Sequence, residues 1–381
     1  MEFDYTEEQL ALQDTLQKFV AREYDFEKRR GFSRAEPGYS PAAWSQYAEL
    51  GLLSLPFPES RGGLGGNAVD VMVVMEQFGL GLLLEPYLSC VVACGGLVRD
   101  AASDAQQDEL LPAIGAGRLK IALAAYEAGG RYNLSHVECK ADAHGAGWRL
   151  SGRKSVVLDG AGADSFLIAA RTAGNARDRE GISVFLVPRT APGVTVRPYP
   201  TQSGGRAADL QLQDVVLGAD ALIGSAGAGL QAIERAVDQA CAALCAEAVG
   251  IMTALNQATL GYLKTRKQFG VAIGNFQALK HKMADMLMAA EQSRSMAIIA
   301  AVHADSPDAA QRRRAIAAAK AYIGQAGRLV GQHAVQMHGG MGVVDDLIVS
   351  HYFKRLTMID LTFGDVDHQL ASFSDSLLPA A

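Results

Sequence analysis

Among the residues able to do chemistry, Glu247 is the least ordinary: a carboxylate inside the apolar run Ala243–Val249. A buried carboxylate must find a partner, line a cleft or stay neutral, because an unpaired buried charge is costly. It is therefore either a base or an ion-paired structural residue. Arg266 follows a helical stretch and precedes a glycine turn at Gly270. A guanidinium there can fork onto a pyrophosphate, although an isolated one is as well read as a solvated helix-end charge. The run Gln336-Met-His-Gly-Gly-Met-Gly342 has glycines that let a ligand approach the backbone closely. Asp365 is a second possible base, on a shorter arm than a glutamate. With Asp367 and His368 it also reads as a polar cluster at a helix start, where acidic residues suit the dipole.

Other groupings point to blander roles. His333 and His338 stand five apart, a poor spacing for one metal on a helix, and no HExxH occurs. Lys280-His281-Lys282 reads as a surface basic patch. Arg312-Arg313-Arg314 reads as a solvated face, with coenzyme phosphates as the alternative. Gly62-Gly63-Leu64-Gly65-Gly66 lacks the Gly-Lys-Ser/Thr of a phosphate loop and is expected to be a flexible connection. The five cysteines (90, 94, 139, 241 and 245) include no CxxC. They are expected to be small, buried and reduced rather than metal ligands.

Three regions must position these residues. Over residues 1–118 the pattern is helical. Thr6–Gln9 resembles a capping box, Ser40-Pro41 starts a helix that Gly51 closes, and Pro56–Asn67 is a loop. Val69–Phe78, Tyr87–Val98 and Asp104–Ile114 complete the region. Residues 119–222 carry short strand-like runs: Lys120–Ala125, Trp148–Ser151, Ser155–Leu158, Ser165–Ala170, Ile182–Pro188, Val194–Pro198 and Asp209–Leu217. That spacing predicts a small antiparallel β-domain. Residues 223–381 return to long helices over Leu230–Thr265, Phe276–His303 and Asp308–Met337, expected to form a four-helix bundle. The fold class is α+β.

Composition excludes other classes. Apolar residues make up 49% and charged residues 20%, enough burial to rule out disorder. The net charge of −6 lacks the basic footprint of a nucleic-acid binder. No apolar run is expected to reach a membrane span, the acidic N-terminus lacks a signal peptide's apolar core, and a cytoplasmic location is expected.

Tyr262-Leu-Lys-Thr-Arg-Lys-Gln-Phe-Gly270, with Phe276-Gln277 and Ala284-Asp-Met286, resembles the C-terminal signature of the acyl-CoA dehydrogenases. Gln336–Gly342 is similar to that family's second signature. Phe353–Asp360 and Phe363–His368 are most similar to the pimeloyl-CoA dehydrogenase small-subunit type. The resemblance covers nearly the whole chain. It implies FAD, an acyl-CoA substrate, a tetramer, and an electron-transfer flavoprotein as acceptor. A carboxylate removes the α-proton of the thioester while the β-hydride leaves for the flavin. Carried over residue by residue, Arg266 holds the FAD pyrophosphate of a neighbouring subunit. Gln268, Phe269, Phe276 and Gln277 touch the same cofactor. Gln336, His338, Gly339 and Gly340 follow its adenosine end.

Other parts of the family pattern are missing. The flavin-binding strand, usually Thr-Glu-Pro then Gly-Ser-Asp, reads Tyr126-Glu-Ala-Gly-Gly-Arg-Tyr-Asn133, so Tyr132 stands at the serine place. Val156 and Leu158 replace a tryptophan and a threonine, and neither side chain donates a hydrogen bond. The two family positions for the base fall on Phe363 and Ala240. The expected reading is a base-lacking subunit of a heterotetramer. The alternatives are a self-sufficient homotetramer with Glu247 or Asp365 as a displaced base, and a non-catalytic acyl-CoA binding protein. The substrate is expected to be a dicarboxylyl or other bulky acyl-CoA, with Arg131 either meeting a distal carboxylate or standing as a loop charge.

Overall fold

The computed structural model describes residues 5–377, which form two compact units. One comprises residues 32–67 and 84–240, the other residues 5–31, 68–83 and 241–377.

The first unit is built on an eight-stranded sheet. Its strands are β1 (Ile121–Ala124), β2 (Lys140–His144), β3 (Gly147–Leu158), β4 (Ser165–Arg171), β5 (Ile182–Pro188), β6 (Val194–Pro200), β7 (Arg206–Leu217) and β8 (Leu222–Ile223). The order is β6-β7-β3-β2-β4-β5-β8, with β1 beside β4. The pairing is mainly antiparallel, as the strand spacing predicts, but β1 and β2 each join β4 in parallel. The runs at 148–151 and 155–158 are one strand, not two. β3 stays paired to β7 throughout and absorbs the break as two register shifts, at Leu150/Gly152 and Lys154/Val157. β2 carries only a weak sequence signal, because it is short, only alanines alternate with its polar residues, and four of its five residues are exposed.

Helix α3 (Pro41–Glu49) begins at Ser40, whose hydroxyl accepts the Ala43 N–H, with Pro41 in the first turn. Tyr87–Gly95, expected to be α-helical, is a buried π-helix that continues into α5 (Gly96–Ala101). The glycine loop is not loose. The amides of Gly63, Leu64, Gly65 and Gly66 donate to the carbonyls of Pro58, Ser54, Phe57 and Leu55. Those amides are thereby withdrawn from any anion. α6 (Asp104–Gly115) carries a capping box between Ser103 and Gln106.

The second unit is helical. α1 (Glu7–Glu23) starts with the expected Thr6/Gln9 capping box and packs on α4 (Ala68–Gly81). α7 (Gly229–Thr265) enters this unit from residue 241. α8 (Gln277–Ala304), α9 (Ala309–His338), α10 (Ile348–Leu361) and α11 (Val366–Asp375) complete it. Among the described residues the region after 223 thus holds five α-helices, the helical C-terminal region the sequence predicts. α4 and α7 cross backbone to backbone. An added Cβ at Gly79 would strike the Glu247 carbonyl oxygen, and one at Gly250 the Glu76 carbonyl oxygen.

Two expectations about charge and hydropathy need correction. Arg312 is buried, not solvated, and its guanidinium donates to the Ser306 carbonyl at 2.8 Å. α7 is long and apolar enough to cross a membrane by length and composition, with a mean hydropathy of 1.3 over 18 residues, but 94% of that window is buried inside the protein. All five cysteines are buried thiols, and burial pushes those of Cys90 and Cys245 up to about 12.

Candidate functional site

α7 ends at Thr265, and the chain turns at once into a two-residue hairpin. β9 (Lys267–Gln268) pairs with β10 (Val271–Ala272), leaving Phe269 and Gly270 at the tip. Both tip residues have positive φ, 53° and 82°. Primed hairpin turns require this, and Asn-Gly is their usual sequence. A phenylalanine in the left-handed region is strained by about 1–3 kcal/mol. The residue is 90% exposed, with its ring edge-on to that of Phe276 at 6.1 Å between centroids. Arg266, Gln268 and Gln277 are also exposed. Arg266 has no side-chain partner among the described residues, and its backbone carbonyl accepts the Ile273 N–H at 2.8 Å.

The second signature closes α9. Gly339 caps the helix at φ 61°, and an added Cβ at Gly339 or Gly340 would meet nothing within 4 Å. Open space over bare backbone is what a bound ligand needs there. Gln336 is exposed. His338 is different: it is buried, and its Nδ1–H donates to the Ala334 carbonyl at 2.8 Å. Its ring stacks on Tyr262 at 4.4 Å and 25°. That stack joins the end of α9 to the end of α7 and so brings the two signatures together. His338 therefore packs between the helices rather than joining the exposed set.

The carboxylates are occupied. Glu247 is buried and receives a bidentate grip from Arg355 on α10, Nε to Oε1 at 2.5 Å and Nη2 to Oε2 at 2.7 Å. Asp365 is the N-cap of α11 and accepts the His368 N–H at 3.0 Å. Ala240 is fully buried, and Phe363 sits at φ 58° just before Gly364. This turn is tied down by Lys320, only 1% exposed, whose ammonium donates to the carbonyls of Ile359, Asp360 and Gly364 at 2.7, 3.0 and 3.1 Å. The cation thus closes the end of α10, where the helix dipole favours it.

In the sheet unit, Val156 occupies the bulge of β3 at φ 53°, a genuine outlier for a β-branched residue, and is 55% exposed. Its N–H donates to Asp209 Oδ1 at 3.1 Å, which also accepts the Tyr199 hydroxyl at 3.2 Å. Arg131 stands over the ring of Tyr132 at 5.5 Å. Glu127 is buried against Lys154, at 2.5 Å, and accepts the N–H groups of Glu138 and Cys139.

Sequence reasoning missed Arg355, Lys154 and Lys320. The signal for Lys320 was a single cation on the apolar stretch Ala317–Ile323. For Arg355 and Lys154 it was only the presence of a buried acid needing a partner.

The descriptions that match the chain are the acyl-CoA dehydrogenase N-terminal domain over residues 6–118, the middle domain over 122–215 and the C-terminal domain over 227–378. The chain belongs to the acyl-CoA dehydrogenase family of FAD-dependent oxidoreductases. It is 28% identical to the probable acyl-CoA dehydrogenase YngJ of Bacillus subtilis over 99% of this chain and 100% of that one. Acyl-CoA dehydrogenase FadE27 of Mycobacterium tuberculosis is 29% identical over 90% of each. Among solved structures, the Tcur3481-Tcur3483 steroid ACAD matches at a TM-score of 0.87 with 28% identity over 97% of this chain and 98% of that one. The ChsE4-ChsE5 complex from Mycobacterium tuberculosis matches at 0.88 with 26% identity over the full length of both. The FAD complex of PigA matches at 0.90 with 25% identity over 99% of each.

Proposed function

We propose that this chain is the base-lacking subunit of a heterotetrameric acyl-CoA dehydrogenase and lends a half-site to its partner's FAD. The observation that carries the proposal is Phe269: an aromatic residue held in a strained conformation, almost fully exposed, beside the exposed Arg266. Strain persists where surrounding structure over-determines it, commonly at functional sites. The open backbone at Gly339–Gly340, joined to that hairpin through the Tyr262–His338 stack, supplies a second surface for the same ligand.

FAD fits one side of this chain and not the other. Arg266 would grip the pyrophosphate, with Gln268, Phe269, Phe276 and Gln277 beside it and Gln336, Gly339 and Gly340 along the adenosine end. When bound, FAD supplies the acceptor for the hydride leaving the acyl β-carbon. The chain's own flavin strand is a poor match. Val156 and Leu158 have no donor side chains, and the Val156 N–H is already committed to Asp209. We read Glu247 and Asp365 as structural, since Arg355 and the α11 N-terminus hold them. In this reading the partner carries the base that takes the α-proton.

The substrate follows less directly. The similarity to a steroid ACAD and to the pimeloyl-CoA type favours a bulky or dicarboxylyl acyl-CoA. Arg131, drawn over Tyr132, is read as a loop charge. The acceptor would be an electron-transfer flavoprotein, and the assembly cytoplasmic.

The test is the FAD content of the chain purified alone, read from flavin absorbance after denaturation. Near-zero FAD, restored on co-expression with a related base-bearing chain, is expected. One FAD per chain with turnover and no partner would overturn the proposal.

A further inference from the structure

A cluster outside the proposed half-site is left without a role. His136 is only 7% exposed, and among the described residues neither ring nitrogen has a hydrogen-bond partner. Native proteins rarely leave both nitrogens of a buried imidazole unmet. The ring lies close to Gly130, where an added Cβ would come within 2.7 Å of its Cδ2. It points between two carboxylates. Nε2 lies 3.6 Å from Glu138 Oε1, and the ligand atoms of Glu127, His136 and Glu138 all fall within 4.8 Å of one another.

We propose that Glu127, His136 and Glu138 bind a divalent transition metal of the zinc class. One imidazole and two carboxylates are a donor set that zinc accepts, and borderline N,O sites select such ions over calcium or magnesium. Around a tetrahedral zinc, ligand atoms stand roughly 3.3 Å apart. The His136–Glu138 gap is already close to that. Closing the rest takes movement of both carboxylates: Glu138, whose side chain is 68% exposed, and Glu127, which must itself approach His136. Glu127 keeps capacity for a metal. Lys154 and the Cys139 N–H occupy Oε1, but Oε2 accepts only the Glu138 N–H, which leaves it one lone pair. The Lys154 charge weakens the site without filling it. An entry path exists, because Glu127 and Glu138 both line a cleft of about 580 Å³. The bound ion would clamp residues 127–138, which include most of the segment Tyr126–Asn133 that stands in place of the family's flavin-binding strand, and its fourth ligand would be water.

The probe is Zn²⁺ itself, titrated into the purified full chain against a chromophoric chelator, with Co²⁺ absorption reporting the geometry. One ion per chain is expected, with tetrahedral Co²⁺ bands and a melting temperature that rises with Zn²⁺. Glu138→Gln, at an exposed position where folding is not at stake, should weaken binding at least about tenfold. His136→Gln should abolish it. Sub-stoichiometric binding overturns the proposal, as does an affinity unchanged in Glu138→Gln. So does a His136 ring resonance that responds to protons but not to Zn²⁺, which would make the cluster a protonation site only.

Discussion

Arg355→Met should unfold this chain far more readily than its place on an amphipathic helix suggests. The guanidinium makes two charge-assisted hydrogen bonds to Glu247, whose side chain is 5% exposed while that of Arg355 is 25% exposed. Removing the arginine leaves a carboxylate buried without its counter-charge, at a cost of about 3–5 kcal/mol; the partial exposure of the pair argues for the lower end. A loss near 3 kcal/mol is roughly a hundredfold in the unfolding equilibrium. Glu247→Gln leaves an arginine that can still reach water and should cost about 1–2 kcal/mol. The double variant Glu247→Leu/Arg355→Met replaces the pair with apolar volume and should fall close to wild type. Urea unfolding of the four proteins, followed by circular dichroism at constant slope, closes the double-mutant cycle. Additive losses, or an Arg355→Met variant within about 0.5 kcal/mol of wild type, would refute the reasoning. A Glu247→Gln protein of unchanged stability that has lost turnover on its own would make Glu247 the base instead.

Lys320→Met should cost at least about 3 kcal/mol, since three buried carbonyls lose their donor together; thermal melting measures it, and a near-neutral result would mean that water reaches the turn. Phe269→Asn should raise the stability of the isolated chain by about 1 kcal/mol by relieving the left-handed strain. The same change should lower FAD retention in the assembled complex, so improved stability with full retention would remove Phe269 from the cofactor site. His351 should make stability fall in mild acid. Burial chiefly, then Arg29 and Lys354, holds its pKa below 6.5, against the opposing hydrogen bond to the Asp345 carbonyl and the Asp345 charge. The unfolded chain therefore takes up a proton first, and stability that is full above about pH 6.5 declines as pH falls toward the depressed folded value. Melting temperatures of wild type and His351→Gln between pH 5 and 8 should diverge below 6.5, and parallel curves would exclude His351.

The parts of the fold written in local chemistry were legible in the chain. Thr6 and Gln9, and Ser40 and Pro41, mark helix starts, because each cap is made within four residues. The strands at 165–171 and 182–188 were legible because runs of buried apolar residues filled them. β2 was not: Lys140-Ala-Asp-Ala-His144 alternates only alanine with polar residues, too weak a signal, and pairing with β3 along its length and with β4 at Lys140 makes it a strand. The break in β3 looked like two strands because a bulge interrupts the alternation without ending the ladder. The π-helix at Tyr87–Gly95 was invisible for a related reason, since apolar residues on every side erase the difference between periods.

The site divides along the same line. The sequence by itself determined the family, the two signatures, and the residue types at the places for the base, since those are properties of identity and spacing. It also made Glu247 an anomaly that demanded a partner. Only the tertiary structure decided which partner, because Arg355 lies 108 residues away and comes to Glu247 by helix packing. It likewise turned His338 inward onto Tyr262 while leaving Phe269 and Arg266 outside. Local preference is set by neighbours along the chain, whereas exposure and charge pairing are set by what the fold brings alongside.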